Sequence, residues 1–595
     1  MKIRVADYIA KFLVENKIDT MFTITGGGAM HLNDAFGHKK GLKCIYNHHE
    51  QACSTAAEGY YRVNSKMASV CVTTGPGGTN AITGVMGAYL DSIPMFIVSG
   101  QVKRSNMVKY TGLKLRQYGD QEFDIIKMIK HVTKYCVTID DPKMIKYHLE
   151  KAYKKALSGR PGPVWIDVPL DIQSALIDEE DLLVYNGRDI NYNIVSDDEI
   201  KIIKNKIKKA KRPVIYVGSA VRLSGNLDLF NTLIEKLNIP VVVACNSIDS
   251  IVNDHYLYAG RGGMNGDRAG NFAVQNSDFI LSLGCRLSLR QVGFNYELWA
   301  REAFVVMVDI DKEELKKPSL HLDLAINADV GYFMNRLLKE DIRFDDESWI
   351  KQCRTWVEKY PVVTDKMING KEVNVYNFVK LLTKNMKENS VLVVGNGSAC
   401  VASNQTAIVK KGFKFIMNSG AAQMGYGLPA AIGACLANNN RDVICITGDG
   451  SIQMNIQELQ TIVTNNLKVK IFIINNEGYH SIRQTQNNFF NGNVVGIGPE
   501  SKDLSFPSFE KIAYAYGIDY YKINKNDKLD NDIKKVLESK SPLICEVVVS
   551  KTQYFEPKVS SRKLEDGTMV SCPLEDLYPF LDKEELEENM FIKTI

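Results

Sequence analysis

The 595-residue chain has no apolar run near the ~20 residues needed to cross a bilayer, so no membrane association is expected. Its twelve cysteines are scattered singly, without one C-x-x-C pair. Several, such as Cys71 and Cys445, sit inside apolar strand-like runs, which argues for buried reduced thiols in a cytoplasmic protein over a disulfide framework. No dense basic stripe is present: 73 basic against 69 acidic residues leave a net charge of +4. The nearest candidate, Lys201 to Lys211, has helical spacing and reads as a solvated helix face, so no nucleic-acid partner is expected. Met1 to Thr20 carries charges throughout with helical periodicity and is not expected to be a signal peptide. With 45% hydrophobic and 24% charged residues, the composition excludes disordered, collagenous and coiled-coil proteins.

What is present is an alternation of apolar strand runs with amphipathic helices, which predicts an α/β protein of three doubly wound parallel-sheet domains and a C-terminal tail. Residues 1–185 form the first, with strands at Met21–Thr25, Met67–Thr73, Met95–Ser99 and Val164–Val168. Tyr185 to Ser196 loses apolar periodicity and supplies a linker. Residues 196–340 form the second, with strands at Val214–Val217, Pro240–Ala244, Phe279–Leu283 and Phe304–Val308. Glu340 to Glu372 reads as a charged, helical second linker. Residues 373–550 form the third, with strands at Val391–Val394, Phe415–Met417, Val443–Thr447, Lys470–Ile474 and Leu543–Val549; residues 551–595 read as a tail.

The most informative stretch is Ile444 to Tyr479. A strand enters Gly448-Asp449-Gly450-Ser451, a helix follows, and a second strand ends at Asn475-Asn476. Such a unit places Asp449 and Asn476 at the carboxyl ends of neighbouring parallel strands. The glycines allow close approach to a phosphate, and the helix start at Ser451 offers free amides to an anion. One carboxylate and one amide oxygen, with substrate phosphates completing an octahedron, suit Mg²⁺. Taken alone, GDGS could equally be a tight turn.

This stretch resembles the C-terminal signature of thiamine-diphosphate (ThDP) enzymes of the acetohydroxyacid synthase and pyruvate oxidase group. Other motifs follow in the same order over about residues 1–550. Phe22 to Gly28 is similar to the family's F-x-x-P-G-G turn, with Thr25 in place of proline. His49-Glu50-Gln51 and Ala56-Ala57-Glu58-Gly59-Tyr60 resemble its H-E-Q…A-A-x-G-Y element. Thr74 to Asn80 and Asp91-Ser92-Ile93-Pro94 resemble S-G-P-G-x-T-N and D-S-x-P, and Asn418 to Ala434 its S-G-x-G-x-M-G-x-G-L-P-A-A segment. The resemblance implies that Glu50 binds the ThDP pyrimidine as a buried, raised-pKa carboxylate and favours the imino tautomer that removes the thiazolium proton. It implies cofactor contacts from Gly26, Gly27, Thr79, Asn80, Asn396, Gly397, Ser398, Gly448, Gly450 and Ser451. Met424 would wedge under the bent cofactor, the Ala422 carbonyl would accept from its amine, and Asp449, Asn476 and the Gly478 carbonyl would hold Mg²⁺.

For the substrates, Gln121 in Gln121-Glu122 is implied to polarise the reacting carbonyl. No histidine occurs between Arg104 and Lys130, so the paired-histidine relay of simple 2-oxo acid decarboxylases is missing, which favours carboligation. Thr485 stands where the synthases place a tryptophan, leaving room for a larger acceptor; His480 is a further candidate in that pocket. The middle domain resembles the synthases' flavin domain. Arg286 and Asp309 are its candidate FAD contacts, although Ser288-Leu289-Arg290 departs from the family's D-D-R and Asp309 could instead be a helix N-cap. The tail resembles ThDP proteins of nucleotide-sugar pathways. The expectation is a ThDP- and Mg²⁺-dependent 2-oxo acid decarboxylase/carboligase, homodimeric or homotetrameric, with pyruvate as two-carbon donor and a second carbonyl compound, such as a keto-deoxysugar nucleotide, as acceptor. The alternatives are acetolactate synthase itself, a flavin-using pyruvate oxidase, and a scaffold that merely retains the fold.

Overall fold

The computed structural model describes residues 2–187, 190–563 and 568–595. Three six-stranded, fully parallel sheets form the three domains. The N-terminal sheet runs, edge to edge, Lys43–Tyr46, Thr20–Thr23, Ser69–Val72, Phe96–Gln101, Val164–Pro169 and Tyr135–Thr138. The C-terminal sheet runs Lys414–Ile416, Val391–Val394, Val443–Gly448, Val469–Asn475, Leu543–Val548 and Asp519–Ile523. Numbered within each domain, both have the order 2-1-3-4-6-5. The central sheet runs Tyr258–Arg261, Val241–Val243, Pro213–Val217, Phe279–Leu283, Phe304–Asp309 and Leu324–Asn327. Its order, 3-2-1-4-5-6, is that of dinucleotide-binding domains.

Two segments pack more than the sequence suggests. Residues 340–372 carry the helix Glu347–Lys359, whose Trp349 and Trp356 are buried in the central domain's core. The tail lies on the same domain: Leu577 is fully buried, Glu575 pairs with Arg301 at 2.8 Å, and Asn589 accepts from Trp356 Nε1 at 2.8 Å.

The N- and C-terminal domains meet where the helix Glu50–Asn64 packs on the helix Gly427–Ala437. Small residues let the backbones touch. A Cβ on Gly433 would stand 1.8 Å from the Ala56 carbonyl oxygen, and one on Gly59 would stand 2.3 Å from that of Ala430. A backbone oxygen cannot swing aside as a side chain can. Gly433→Ala is therefore expected to cost about 3 kcal/mol; an unchanged urea midpoint would count against this packing. A buried ionic cluster crosses the same boundary. Arg62 Nη2 donates to Glu58 (2.6 Å) and Asp91 (2.7 Å), while Asp91 accepts from the amides of Ser419 and Gly420, both at 2.8 Å.

Candidate active site

Val443–Gly448 and Val469–Asn475 pair in parallel with Gly448 opposite Ile474, so the residues that follow them emerge together. Asp449, 2% exposed, opens the short helix Asp449–Ile452 and accepts from the amides of Gly450 (2.7 Å) and Gly478 (2.9 Å). Burial pushes its pKa up to about 6 against the pull of those amides and Arg483. Asn476 Nδ2 lies 3.4 Å from Ser398 Oγ, and its Oδ1 is buried with no hydrogen-bond partner among the described residues. Arg483, absent from the sequence-based candidates, fixes this loop: it donates to the carbonyls of Asn476 (3.1 Å) and Glu477 (2.8 Å) and pairs with Glu500 at 2.9 Å. Gly478 is required as glycine, because at φ +137° a Cβ would meet the Ile497 oxygen at 1.8 Å.

Facing Asn476, Gly397 at φ +60° turns the chain into the helix Ser398–Thr406, whose N-terminus has no side-chain cap. Its first-turn amides are those an anion would use. No cluster of three His, Cys, Asp or Glu side chains suited to a metal exists among the described residues. One carboxylate, one unpartnered amide oxygen and a backbone carbonyl thus fit a hard divalent ion that completes its shell with phosphate oxygens.

Asn396, Gly397 and Ala422 line a cavity of about 200 Å³ beside this loop. Ala422 sits at φ +49°, held by Asn418, whose Oδ1 accepts from the amides of Ala421 and Ala422, both at 3.0 Å. Asn418 is itself anchored on Glu58 at 3.2 Å. Half-buried Met424 adjoins Gly425, whose amide donates to Ser451 Oγ at 3.0 Å, joining this turn to the Asp449 loop. Beyond being polar residues near motifs, Asn418 and Arg483 carried no signal of these roles along the chain.

The N-terminal candidates gather elsewhere. Glu50 opens its helix and accepts from Asn80 Nδ2 at 3.0 Å; Thr79 and Asn80 lie on the helix Pro76–Leu90. Gly26 and Gly27 form the turn after Thr20–Thr23, where a Cβ on Gly26 would strike Thr73 at 2.5 Å. Gln121 is exposed at φ +58°; next to it, buried Glu122 accepts from the amides of Tyr118 (2.9 Å) and Gly119 (3.0 Å) and shapes the loop. None of these residues lines the cavity of Asn396 and Ala422. In the single chain Glu50 is half-buried. His480 turns toward the C-terminal tail. Its Nε2 contacts the Gln553 carbonyl, its ring meets Phe555 edge-on, and it lines neither cavity, while neighbouring Ser481 lines the smaller one. Burial lowers its pKa.

A second cavity, of about 700 Å³, opens where the central sheet's order reverses, between the ends of Pro213–Val217 and Phe279–Leu283. That crevice is where open α/β sheets bind nucleotides. Arg286 and Asp309 line it. Asp309 ends its strand and accepts from the Asp311 amide at 2.9 Å, so it is not a helix N-cap, and burial raises its pKa to about 6. Arg286 donates to the Leu90 carbonyl at 3.3 Å. Cys245 and Arg290 belong to the walls of both cavities.

Two domains of one topology flank a third of dinucleotide-binding order, and a carboxylate–amide pair stands beside a glycine-rich helix entry. Comparison with known sequences carries this further. The N-terminal TPP binding domain, central domain and C-terminal TPP binding domain models of thiamine pyrophosphate enzymes match residues 3–128, 200–337 and 395–547. The acetolactate synthase large subunit of Lactococcus lactis is 32% identical over 562 residues, covering 93% of each chain. The chloroplastic acetolactate synthase of Arabidopsis thaliana is 30% identical, covering 93% of this chain and 83% of its own. The acetolactate synthase isozyme 2 large subunit of Escherichia coli is 29% identical, covering 93% and 97%. The chain belongs to the thiamine pyrophosphate enzymes, as an acetolactate synthase-like, ThDP-dependent enzyme of the carboligase type.

Proposed function

We propose that the protein decarboxylates a small 2-oxo acid, pyruvate first among them, and joins the two-carbon unit to a second carbonyl compound. The observation that carries this reading is the unpartnered Asn476 Oδ1 beside Asp449, across from the helix entry at Gly397 and Ser398. Asp449, Asn476 and the Gly478 carbonyl would hold Mg²⁺, and Asn396, Gly397, Ser398, Gly448, Gly450 and Ser451 the diphosphate. Held by these residues, ThDP would supply a deprotonated carbon centre for addition to a 2-oxo acid and an electron sink for loss of CO₂. Glu50 would keep a proton at the pyrimidine ring, with Gly26, Gly27, Thr79 and Asn80 around it. The Ala422 carbonyl would orient the amine, Met424 would support the bend, and Gln121 would donate to the donor's oxygen. His480, tied to the tail, positions Ser481 instead of moving protons.

The working unit is proposed to be a homodimer or a pair of dimers, with Glu50 of one chain facing the Asp449 loop of another. The exposed apolar side chains near Gln121 support this: Leu113 is 63% and Tyr118 58% exposed. The larger cavity is the proposed FAD site, with Arg286 and Asp309 as contacts; the 3-2-1-4-5-6 sheet supports it. Twelve free thiols suit a reducing cytoplasm. Thr485, exposed on the helix His480–Phe489, is smaller than the tryptophan of the synthases, which supports an acceptor larger than a 2-oxo acid, such as a keto-deoxysugar nucleotide. The test is mass spectrometry of products from purified protein with ThDP, Mg²⁺ and pyruvate, with and without a 4-keto-6-deoxy nucleotide sugar. A sugar enlarged by a two-carbon unit is the expected result. Acetolactate in both tubes would return the protein to acetolactate synthase activity, and no CO₂ release would sink the reading. Pyruvate-dependent bleaching of a bound flavin would mark an oxidase.

A further inference from the structure

Four consecutive backbone amides in the turn before Met424 find no backbone acceptor among the described residues. Those of Ser419 and Gly420 donate to the two carboxylate oxygens of Asp91, both at 2.8 Å, and those of Ala421 and Ala422 to Asn418 Oδ1. Ser419 Oγ adds a third bond to Asp91 at 3.1 Å. The turn ends at Ala422, whose φ of +49° a residue other than glycine keeps only when its surroundings impose it. Ala422 lines the smaller cavity, and its carbonyl oxygen accepts no hydrogen bond among the described residues. Asp91 reaches this turn from the N-terminal domain, where it follows the helix Pro76–Leu90. It is buried and shares the Arg62 guanidinium with Glu58. Two buried carboxylates with one cation leave lone pairs that need further donors, and the turn's amides supply them. Glycines permit the approach: a Cβ on Gly420 would stand 2.7 Å from Leu90 Cβ and 2.8 Å from Asp91 Oδ1.

We propose that Asp91 is a positioning residue for the cofactor's amine: through the Ser419 and Gly420 amides it fixes, from another domain, the turn that presents the Ala422 carbonyl. This rests on the ThDP reading. Asp91 lines the larger cavity and not the smaller one, so its effect on the cofactor passes through the turn. A carboxylate is needed there because each of its oxygens accepts one turn amide, and Oδ2 accepts Arg62 as well. Asparagine offers a single oxygen. Its NH₂ would face either the Gly420 N–H or the Ser419 N–H together with Arg62, and one turn amide would be left unpaired. The turn would then lose the restraint that keeps Ala422 in its left-handed conformation.

The test compares ThDP with its 4′-deamino analogue, which carries hydrogen in place of the amine, by calorimetry on the full-length protein with saturating Mg²⁺. The wild type is expected to bind ThDP about tenfold more tightly than the analogue, and Asp91→Asn to bring that ratio below about twofold. A purely structural role would weaken both ligands alike, so a ratio unchanged in Asp91→Asn overturns the proposal. Gly420→Ala gives a second reading at an exposed residue: its Cβ pushes the turn off Asp91 while both carboxylates keep Arg62, and the ratio should fall there too. If Asp91→Asn does not fold, an unchanged ratio in Gly420→Ala overturns the proposal by itself. A wild-type ratio near one also overturns it, together with the role of the Ala422 carbonyl. Absence of any ThDP binding to the wild type would instead sink the ThDP reading on which the proposal rests.

Discussion

Asp449→Asn should weaken ThDP–Mg²⁺ loading at least about a hundredfold and abolish turnover, since the variant removes the only carboxylate of the proposed metal site. The substitution also has a local cost. Both carboxylate oxygens accept backbone amides, from Gly450 and Gly478, so the new NH₂ must face one N–H with no acceptor between them. Calorimetry of ThDP with saturating Mg²⁺ checks the first effect. The wild type should show a matching pH dependence. With its pKa raised to about 6 by burial, Asp449 holds a proton below that pH and competes with the cation. Loading should therefore weaken about tenfold per unit below pH 6 and level off above it. The sign is opposite for the stability of the ligand-free fold: it binds the extra proton between the unfolded carboxylate pKa and about 6, so this group's contribution falls as pH rises through that window, while cation loading gains. Loading that is flat from pH 5 to 8 would remove Asp449 from the metal site.

Glu50→Gln has the opposite profile. Turnover should fall by about 10²–10⁴, the range for a lost proton-transfer group, while ThDP affinity changes only a few-fold. Glutamine still offers an oxygen to Asn80 Nδ2, and the side chain is half-buried, so stability should hold within about 0.5 kcal/mol. Single-turnover CO₂ release measured beside ThDP affinity separates the two effects. Equal losses in both would mean that Glu50 merely holds the cofactor.

The interior strands were legible because a parallel sheet buried on both faces writes a near-continuous apolar run: Phe279–Leu283 and Val391–Val394 match their predicted spans, and Val443–Gly448 extends its span by one residue. Edge strands were less legible. Lys43–Tyr46, Tyr135–Thr138, Leu324–Asn327 and Asp519–Ile523 lie at sheet edges, carry exposed or half-exposed residues, and lack that run. The packing of residues 340–372 and of the tail was hidden for a related reason. Their surfaces are charged, and the few residues that anchor them, Trp349, Trp356, Leu577 and Asn589, are too widely spaced to form a pattern.

The site divides along the same line. Asp449 and Asn476 were readable because strand, turn, helix and strand follow one another locally, so spacing along the chain fixes their position in space. So were the glycine turns, whose backbone demands are written in residue type. The family's motif order supplied Glu50, but its exposure came only from the fold. Sequence alone thus determined the family, the three parallel-sheet domains and the residues at strand ends. Tertiary structure decided that Arg483 clamps the Asn476 loop, that His480 turns to the tail and that Asn418 hangs from Glu58. Those contacts join residues far apart in the chain, and the pairing of a polar atom depends on which distant backbone folding brings within 3 Å, which no local period encodes.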